Sequence, residues 1–191
     1  MHPTRNVARK KVVPQRKEYT RLKIGKDIYQ PGDTVSINEY SDSDAYATIV
    51  KIMGFPRNPS DSTLTVRWFY KPTSLFAEPC RPIGPDELFD SDHEDEVSVL
   101  ALSGKIEVLT LESYLQLASV PEDVFYSRAT YRYRQEVLQP PTHAWKRVCV
   151  CDAVLCPLDV YRVCASCRHF FHPACIGPDV LDWTCSTCTA N

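Results

Sequence analysis

Beyond residue 24 the chain alternates apolar and polar positions in short runs, the period of two that a half-buried strand requires. Ile28-Tyr29 and Thr34-Val35-Ser36-Ile37 flank Pro31-Gly32-Asp33, residues suited to a tight turn. Residues 45–52 are rich in β-favouring side chains and read as a strand. So do residues 64–70, which stop at Lys71-Pro72. Asn58-Pro59-Ser60-Asp61, between them, reads as a loop. Residues 97–100 and 106–109 bracket Ser103-Gly104-Lys105, a predicted hairpin turn, and residues 111–117 carry a short helical pattern. Short strands punctuated by turn residues predict a mainly β, barrel-like domain with short helices over residues 24–140. Pro140-Pro141 ends it, a few residues before a cysteine-rich segment at 146–191. Units joined so closely are expected to pack on one another.

Charge divides the chain unevenly. Residues 1–26 carry a net charge of +8 and residues 27–191 one of −10, within a total of −2. Residues 1–23 lack apolar periodicity and helix caps, which predicts a disordered basic arm whose candidate partner is DNA or the nucleosome surface. The acidic remainder lacks the basic face that nucleic-acid binding needs, and suits a basic partner. Apolar runs fall short of the ~18 residues of a membrane span. No apolar signal segment opens the chain, so a reducing compartment, cytosol or nucleus, is expected. No nucleophile with a paired base, no phosphate loop and no catalytic carboxylate pair stands out, so no enzyme is expected.

Cys149, Cys151, Cys164, Cys167, His172, Cys175, Cys185 and Cys188 follow the spacing C-x1-C-x12-C-x2-C-x4-H-x2-C-x9-C-x2-C. These donors are enough for two tetrahedral zinc ions, each taking four. A segment this short buries too little surface to fold alone, so metal is expected to supply most of its folding free energy. A disulfide framework competes with this reading. The expected compartment and a histidine spaced like the cysteines disfavour it. Cys80 and Cys156 are left over as unliganded, partly buried thiols, although Cys156 could compete with Cys151.

The order of four cysteines, one histidine and three cysteines resembles the PHD finger family. The four-residue gap before His172, the run Phe170-Phe171-His172-Pro173-Ala174-Cys175, and Trp183 two residues before Cys185 sharpen the match. The opening C-x1-C departs from the usual C-x2-C. The resemblance implies a cross-brace: Cys149, Cys151, His172 and Cys175 on one zinc, Cys164, Cys167, Cys185 and Cys188 on the other. Fingers of this family that read methyl-lysine place a tryptophan two residues before the zinc histidine, where this chain has Phe170. Leu155 falls where the plant readers have a cage tyrosine. Tyr161 and Phe170 are thus candidate walls of a second peptide site, and the competing expectation is a finger that only braces its neighbour.

Residues 24–140 resemble the BAH (bromo-adjacent homology) domain. The carrying segments are Gly32-Asp33-Thr34-Val35, Val66-Arg67-Trp68-Phe69-Tyr70-Lys71-Pro72, Glu87-Leu88-Phe89-Asp90-Ser91-Asp92-His93, Ser103-Gly104-Lys105 and Val124-Phe125-Tyr126-Ser127-Arg128. A BAH domain followed by a PHD finger is the architecture of short chromatin readers of plants and fungi. Trp68 and Tyr70, at i and i+2, share one strand face, and Tyr46 on a separate strand is the natural third wall. Such rings either enclose a quaternary ammonium by cation–π attraction or simply fill a core. In BAH readers of trimethyl-lysine at position 27 of the histone H3 tail, the cage matches Tyr46, Trp68 and Tyr70. The peptide-orienting pair of those readers matches His93 and Asp95. The acidic residues Asp86, Glu87, Asp90, Asp92, Glu94, Asp95 and Glu96 beside this site would attract a basic tail. Ala8-Arg9-Lys10 repeats the tripeptide found at methylation sites of that tail, so the arm is a candidate occupant of the same groove. The expectation is a nuclear, non-enzymatic reader of methylated histone H3 holding two zinc ions. Its rivals are a scaffold that binds another protein or the nucleosome surface, and a RING-type ubiquitin ligase. The gap before His172 and Trp183 argue against the ligase.

Overall fold

Two long paired strands carry most of the main sheet's buried cluster. The computed structural model describes residues 15–38, 44–55, 58–77, 81–177 and 183–189. Residues 1–14, with Ala8-Arg9-Lys10, and Cys80 lie outside these. The first strands are β1 (Lys17–Tyr19), β2 (Leu22–Ile24), β3 (Asp27–Tyr29), β4 (Thr34–Ile37), β5 (Ala45–Phe55) and β6 (Asn58–Phe69). The short helix α1 (Pro72–Leu75) leads to β7 (Asp90–Ser91), β8 (Glu94–Ser98), β9 (Leu102–Lys105) and β10 (Glu107–Thr110). Helix α2 (Leu111–Tyr114), β11 (Val124–Ser127), β12 (Thr130–Arg132) and β13 (Val137–Gln139) complete the first domain.

The main sheet runs β8-β6-β5-β4-β9, and β1 pairs with the far half of β5. Ala47 lies opposite Trp68 and Ile49 opposite Val66. Side chains of one parity from the two strands therefore face the same core, with Tyr29, Val35, Ile37 and Val99. Gly32 takes φ 96°, a conformation open to glycine, and its N–H donates to the Ile49 carbonyl at 2.8 Å. A second layer joins β10 to β11 in parallel and lines up β13-β12-β7. Phe89, Ala129 and Trp145 form its core.

Three stretches differ from the sequence expectation. β6 begins at Asn58, in the stretch read as a loop, because its ladder with β5 extends that far and pairing overrides turn-like composition. Ser103-Gly104-Lys105 is no hairpin turn: it belongs to β9, with Gly104 opposite Ser36 and Lys105 opposite Val35. The reversal is made earlier by a 3-10 turn at Val99–Ala101, where the Ser98 hydroxyl accepts the Leu100 N–H. The stretch read as an arm holds β1 and, with Leu22-Lys23, most of β2. Tyr19 and Leu22 pack on the sheet core there, and Arg16 bonds Thr63 and Glu96.

The cysteine-rich segment adds β14 (Arg147–Val148), β15 (Ala153–Val154), β16 (Arg162–Val163) and β17 (Phe170–Phe171), paired as two ribbons, and helices α3 (Pro173–Ile176) and α4 (Ser186–Thr189). Its Val148, Leu155 and Phe170 share one buried cluster with Leu111 and Tyr126 of the first domain. The linker is pinned by Trp145, whose indole N–H donates to the Pro140 carbonyl at 3.0 Å. Among the described residues no helix is long and apolar enough to cross a membrane.

Candidate binding pocket and metal centres

A pocket of about 250 Å³ sits where β6 ends and β5 begins, lined in part by Asp44, Tyr46, Trp68, Tyr70, Lys71 and His93. The sheet builds most of it. Trp68 lies on the core face of β6, and its N–H donates to the His93 carbonyl at 3.0 Å. The Ser91 hydroxyl donates to the Trp68 carbonyl at 2.6 Å and accepts the His93 N–H, which fixes the turn into β8. Tyr70 Oη lies 2.8 Å from His93 Nδ1. Burial, then Tyr133, Tyr131 and Asp92, push the Tyr70 phenol up to about 12.

Tyr46 is placed differently from Trp68 and Tyr70. Its strand position lies opposite Phe69, on the other face of the sheet from Trp68. The ring rests on Phe125 at 4.5 Å between centroids, and the Lys71 ammonium stands 4.9 Å from its centroid. Burial first, then the charges of Asp44 and Asp86, raise its phenol pKa. Trp68 is only 9% exposed, so most of its ring is packed in the sheet core and little of it meets the pocket. Asp95 sits further along β8, exposed, opposite Val66, with Oδ1 accepting the Glu96 N–H. It does not line the pocket.

Two tyrosines near this site escaped the sequence reading. Tyr131 packs on Tyr70 at 4.8 Å, and Tyr133 stacks on His93 at 3.9 Å with 5° between planes. Their i, i+2 spacing repeats that of Trp68 and Tyr70 and was the available signal. The acidic segment also needs correction. Glu87 is not a lure for a basic tail, because it is fully buried and bound through both oxygens to Arg128, at 2.7 and 2.9 Å. Asp90 faces Arg67, and Asp92 accepts the Tyr133 N–H. Glu94, Asp95 and Glu96 remain exposed.

The metal-ligand side chains converge in two groups. Cys149, Cys151, His172 and Cys175 form one, and Cys164, Cys167, Cys185 and Cys188 the other, with donor atoms in each group within 4.8 Å of one another. A tetrahedral zinc site with its usual bond lengths separates two sulfurs by about 3.8 Å and sulfur from nitrogen by about 3.5 Å. Cys167 and Cys185 stand 3.8 Å apart, and Cys151 Sγ lies 3.3 Å from His172 Nδ1. His172 Nε2 lies 3.5 Å from the Asp159 carboxylate, the partner that orients a histidine metal ligand. The residues thus fit the metal. Burial raises the Cys149 thiol, but backbone donors at Cys151 and His172 outweigh it and bring it to about 6. Its neighbour Cys175 rises to about 11 through hydrogen bonding to Cys149. Sulfurs so crowded share protons in this way, and a cation relieves the crowding. The short C-x1-C opening is accommodated by left-handed backbone at Cys149, φ 67°, and Asp152, φ 54°, closed by the Asp152 N–H to the Cys149 carbonyl. Cys156 is buried and belongs to neither group.

A family model described as the BAH domain matches residues 27–142. The chain belongs to the BAH family. It is 31% identical over 170 residues to the chromatin remodeling protein SHL of Arabidopsis thaliana, covering 87% of this chain and 72% of that one. It is 30% identical over 205 residues to the chromatin remodeling protein EBS of the same plant, covering 100% of this chain and 84% of the relative. Among solved structures, the yeast Rsc2 BAH domain superposes with a TM-score of 0.48 at 14% identity, over 64% of this chain and 53% of that one.

The BAH domain and the finger meet through a built interface. Arg128 of the BAH domain donates to the Leu155 carbonyl at 2.6 Å and stacks on Trp145 at 4.1 Å. Arg81 pairs with Asp159 at 2.5 Å, so one carboxylate ties the BAH domain to His172. Phe170 is 3% exposed within this interface, beside Leu155. It cannot offer a ring face to a peptide, which corrects its assignment as a wall of a second site. Its neighbour Tyr161 sits edge-on to it at 5.6 Å and accepts the Cys156 N–H. An apolar residue at 155 and a phenylalanine at 170 bury well here, where rings with polar edges would need partners.

Proposed function

We propose that this BAH protein is a non-enzymatic, nuclear chromatin reader whose pocket takes trimethyl-lysine at position 27 of a histone H3 tail. Tyr46, Trp68 and Tyr70 supply the ring faces, and His93 and Asp95 hold the adjoining peptide. Two zinc ions, one on each Cys/His group, fold the finger, which braces the BAH domain. The single observation that carries this reading is one pocket bringing Tyr46, Trp68, Tyr70 and His93 together. A trimethylammonium donates no hydrogen bond, so its selection must rest on ring faces and desolvation. The exposed acids Glu94 and Asp95 suit a basic tail, and both plant relatives are named chromatin remodeling proteins.

The burial of Trp68 favours a second reading, in which the rings are core and the BAH surface binds another protein or the nucleosome. Calorimetry separates the two. Trp68→Ala is expected to weaken trimethylated-peptide binding by about 2 kcal/mol, roughly thirtyfold. Because the change also removes core volume, its unfolding midpoint is measured alongside. A folded Trp68→Ala that binds as tightly as the parent sinks the cage. Asp95→Ala, at an exposed position, is expected to weaken trimethylated and unmodified peptides alike, and less so at high salt.

A further inference from the structure

We propose that Lys71 is a built-in occupant of the pocket: its ammonium holds the Tyr46 ring, and an incoming methyl-lysine must displace it. The inference rests on the reading of this pocket as a methyl-lysine site. Lys71 Nζ stands 4.9 Å from the Tyr46 centroid, and Lys71 lines the same pocket as Trp68, Tyr70 and His93. The fold imposes this seat from both sides. The Tyr46 ring is held by Phe125 at 4.5 Å. The Lys71 backbone is fixed because Tyr70 exchanges both backbone hydrogen bonds with Phe89, at 2.8 and 2.9 Å, and the Lys71 carbonyl accepts the Ser74 N–H. Lys71 is the extended N-cap of α1, with Pro72 first in the helix. Only its side-chain stem is free to swing.

The ring takes the place of a carboxylate. Lys105 pairs with Asp33 at 2.7 Å and Lys146 with Glu112 at 2.8 Å, whereas Lys71 has no carboxylate partner among the described residues. A half-buried lysine tail still costs rotamer entropy to hold, so a seat on a ring needs an attraction, and cation–π attraction supplies it. A primary ammonium is strongly hydrated and leaves such a seat readily. A trimethylammonium is poorly hydrated, keeps the ring attraction and gains from desolvation, so it wins the exchange. Because the peptide-free pocket is already occupied from within, Lys71 raises the dissociation constant of every ligand by one common factor. It sets the affinity threshold and leaves the ratio between methylated and unmodified tails unchanged.

The test is calorimetry of the full chain, zinc-loaded, with trimethylated and unmodified histone H3 peptides centred on position 27, at low and high salt. Lys71→Gln is expected to tighten binding of both peptides by the same factor, about fivefold, the equivalent of a cation–π contact of ~1 kcal/mol. The gain should survive high salt. Lys71→Arg, which also seats on a ring, is expected to bind like the parent. Unchanged or weaker binding by Lys71→Gln, while the parent binds, overturns the proposal and leaves the pocket reading standing. A gain that vanishes at high salt means long-range repulsion and also overturns it. If neither protein binds either peptide, the pocket reading falls and displacement falls with it. Proton NMR of the peptide-free parent gives an independent measure. The Lys71 ε-methylene signal should be shifted upfield by the Tyr46 ring, and an unshifted signal overturns the seat whatever the peptides do.

Discussion

Tyr70 joins the pocket to the layer beneath it. Its hydroxyl meets His93 and its ring meets Tyr131, so it holds the pocket wall and the β8 turn in one arrangement. Tyr70→Phe keeps the ring and loses the hydrogen bond. It is expected to weaken methylated-peptide binding by about 1 kcal/mol without unfolding the protein. Binding equal to the parent would show that His93 is positioned by other contacts. The phenol pKa, raised from 10.0 to about 12, makes a second measurement. The fold favours the neutral phenol, so this group's contribution to stability is complete below pH 10 and is lost as pH rises towards 12. Ultraviolet titration of Tyr70→Phe should lose one of the tyrosines that ionise near that value. Glu87 shows where reading by residue type stops. An acid within an acidic run looks like a solvated lure, and only the closed fold reveals that its partner is Arg128. Glu87→Gln strands that arginine in the interface and is expected to cost about 3 kcal/mol in denaturant unfolding.

At the scale of elements, the alternation along β5 and β6 was legible because one face is buried and the period of two survives in the sequence. The turn before β9 was not, because Ser103-Gly104-Lys105 has the composition of a turn and only the ladder with β4 makes it a strand. The eight metal ligands were legible from spacing, whereas their partition into two groups came from family likeness alone. The interface was illegible. Gly84 is its clearest residue, since a Cβ there would lie 2.6 Å from both Tyr126 Oη and Pro157 Cγ. Gly84→Ala is expected to overpack this junction at a cost of about 1–3 kcal/mol and to loosen the finger. An unchanged thermal midpoint would show that the junction yields. Asp159, shared by Arg81 and His172, is expected to matter through orientation. Asp159→Asn should weaken metal retention about tenfold or more in chelator competition, and parent-like retention would remove that role.

Across the whole molecule, the finger and the BAH domain share one buried cluster, so metal loss should be felt on both sides. Elemental analysis is expected to find two zinc ions per chain. Chelation should then lower the thermal stability of the entire chain in a single transition. A finger that melts alone, leaving the BAH transition in place, would contradict the brace. Selection of the methylated side chain by the pocket is read from paired binding affinities. Calorimetry of the zinc-loaded protein compares a histone H3 peptide trimethylated at position 27 with the same peptide unmodified. The trimethylated peptide is expected to bind at least tenfold more tightly, a difference of about 1.4 kcal/mol that ring faces can supply. Equal affinity for the two peptides would contradict that selection and return Tyr46, Trp68 and Tyr70 to the core.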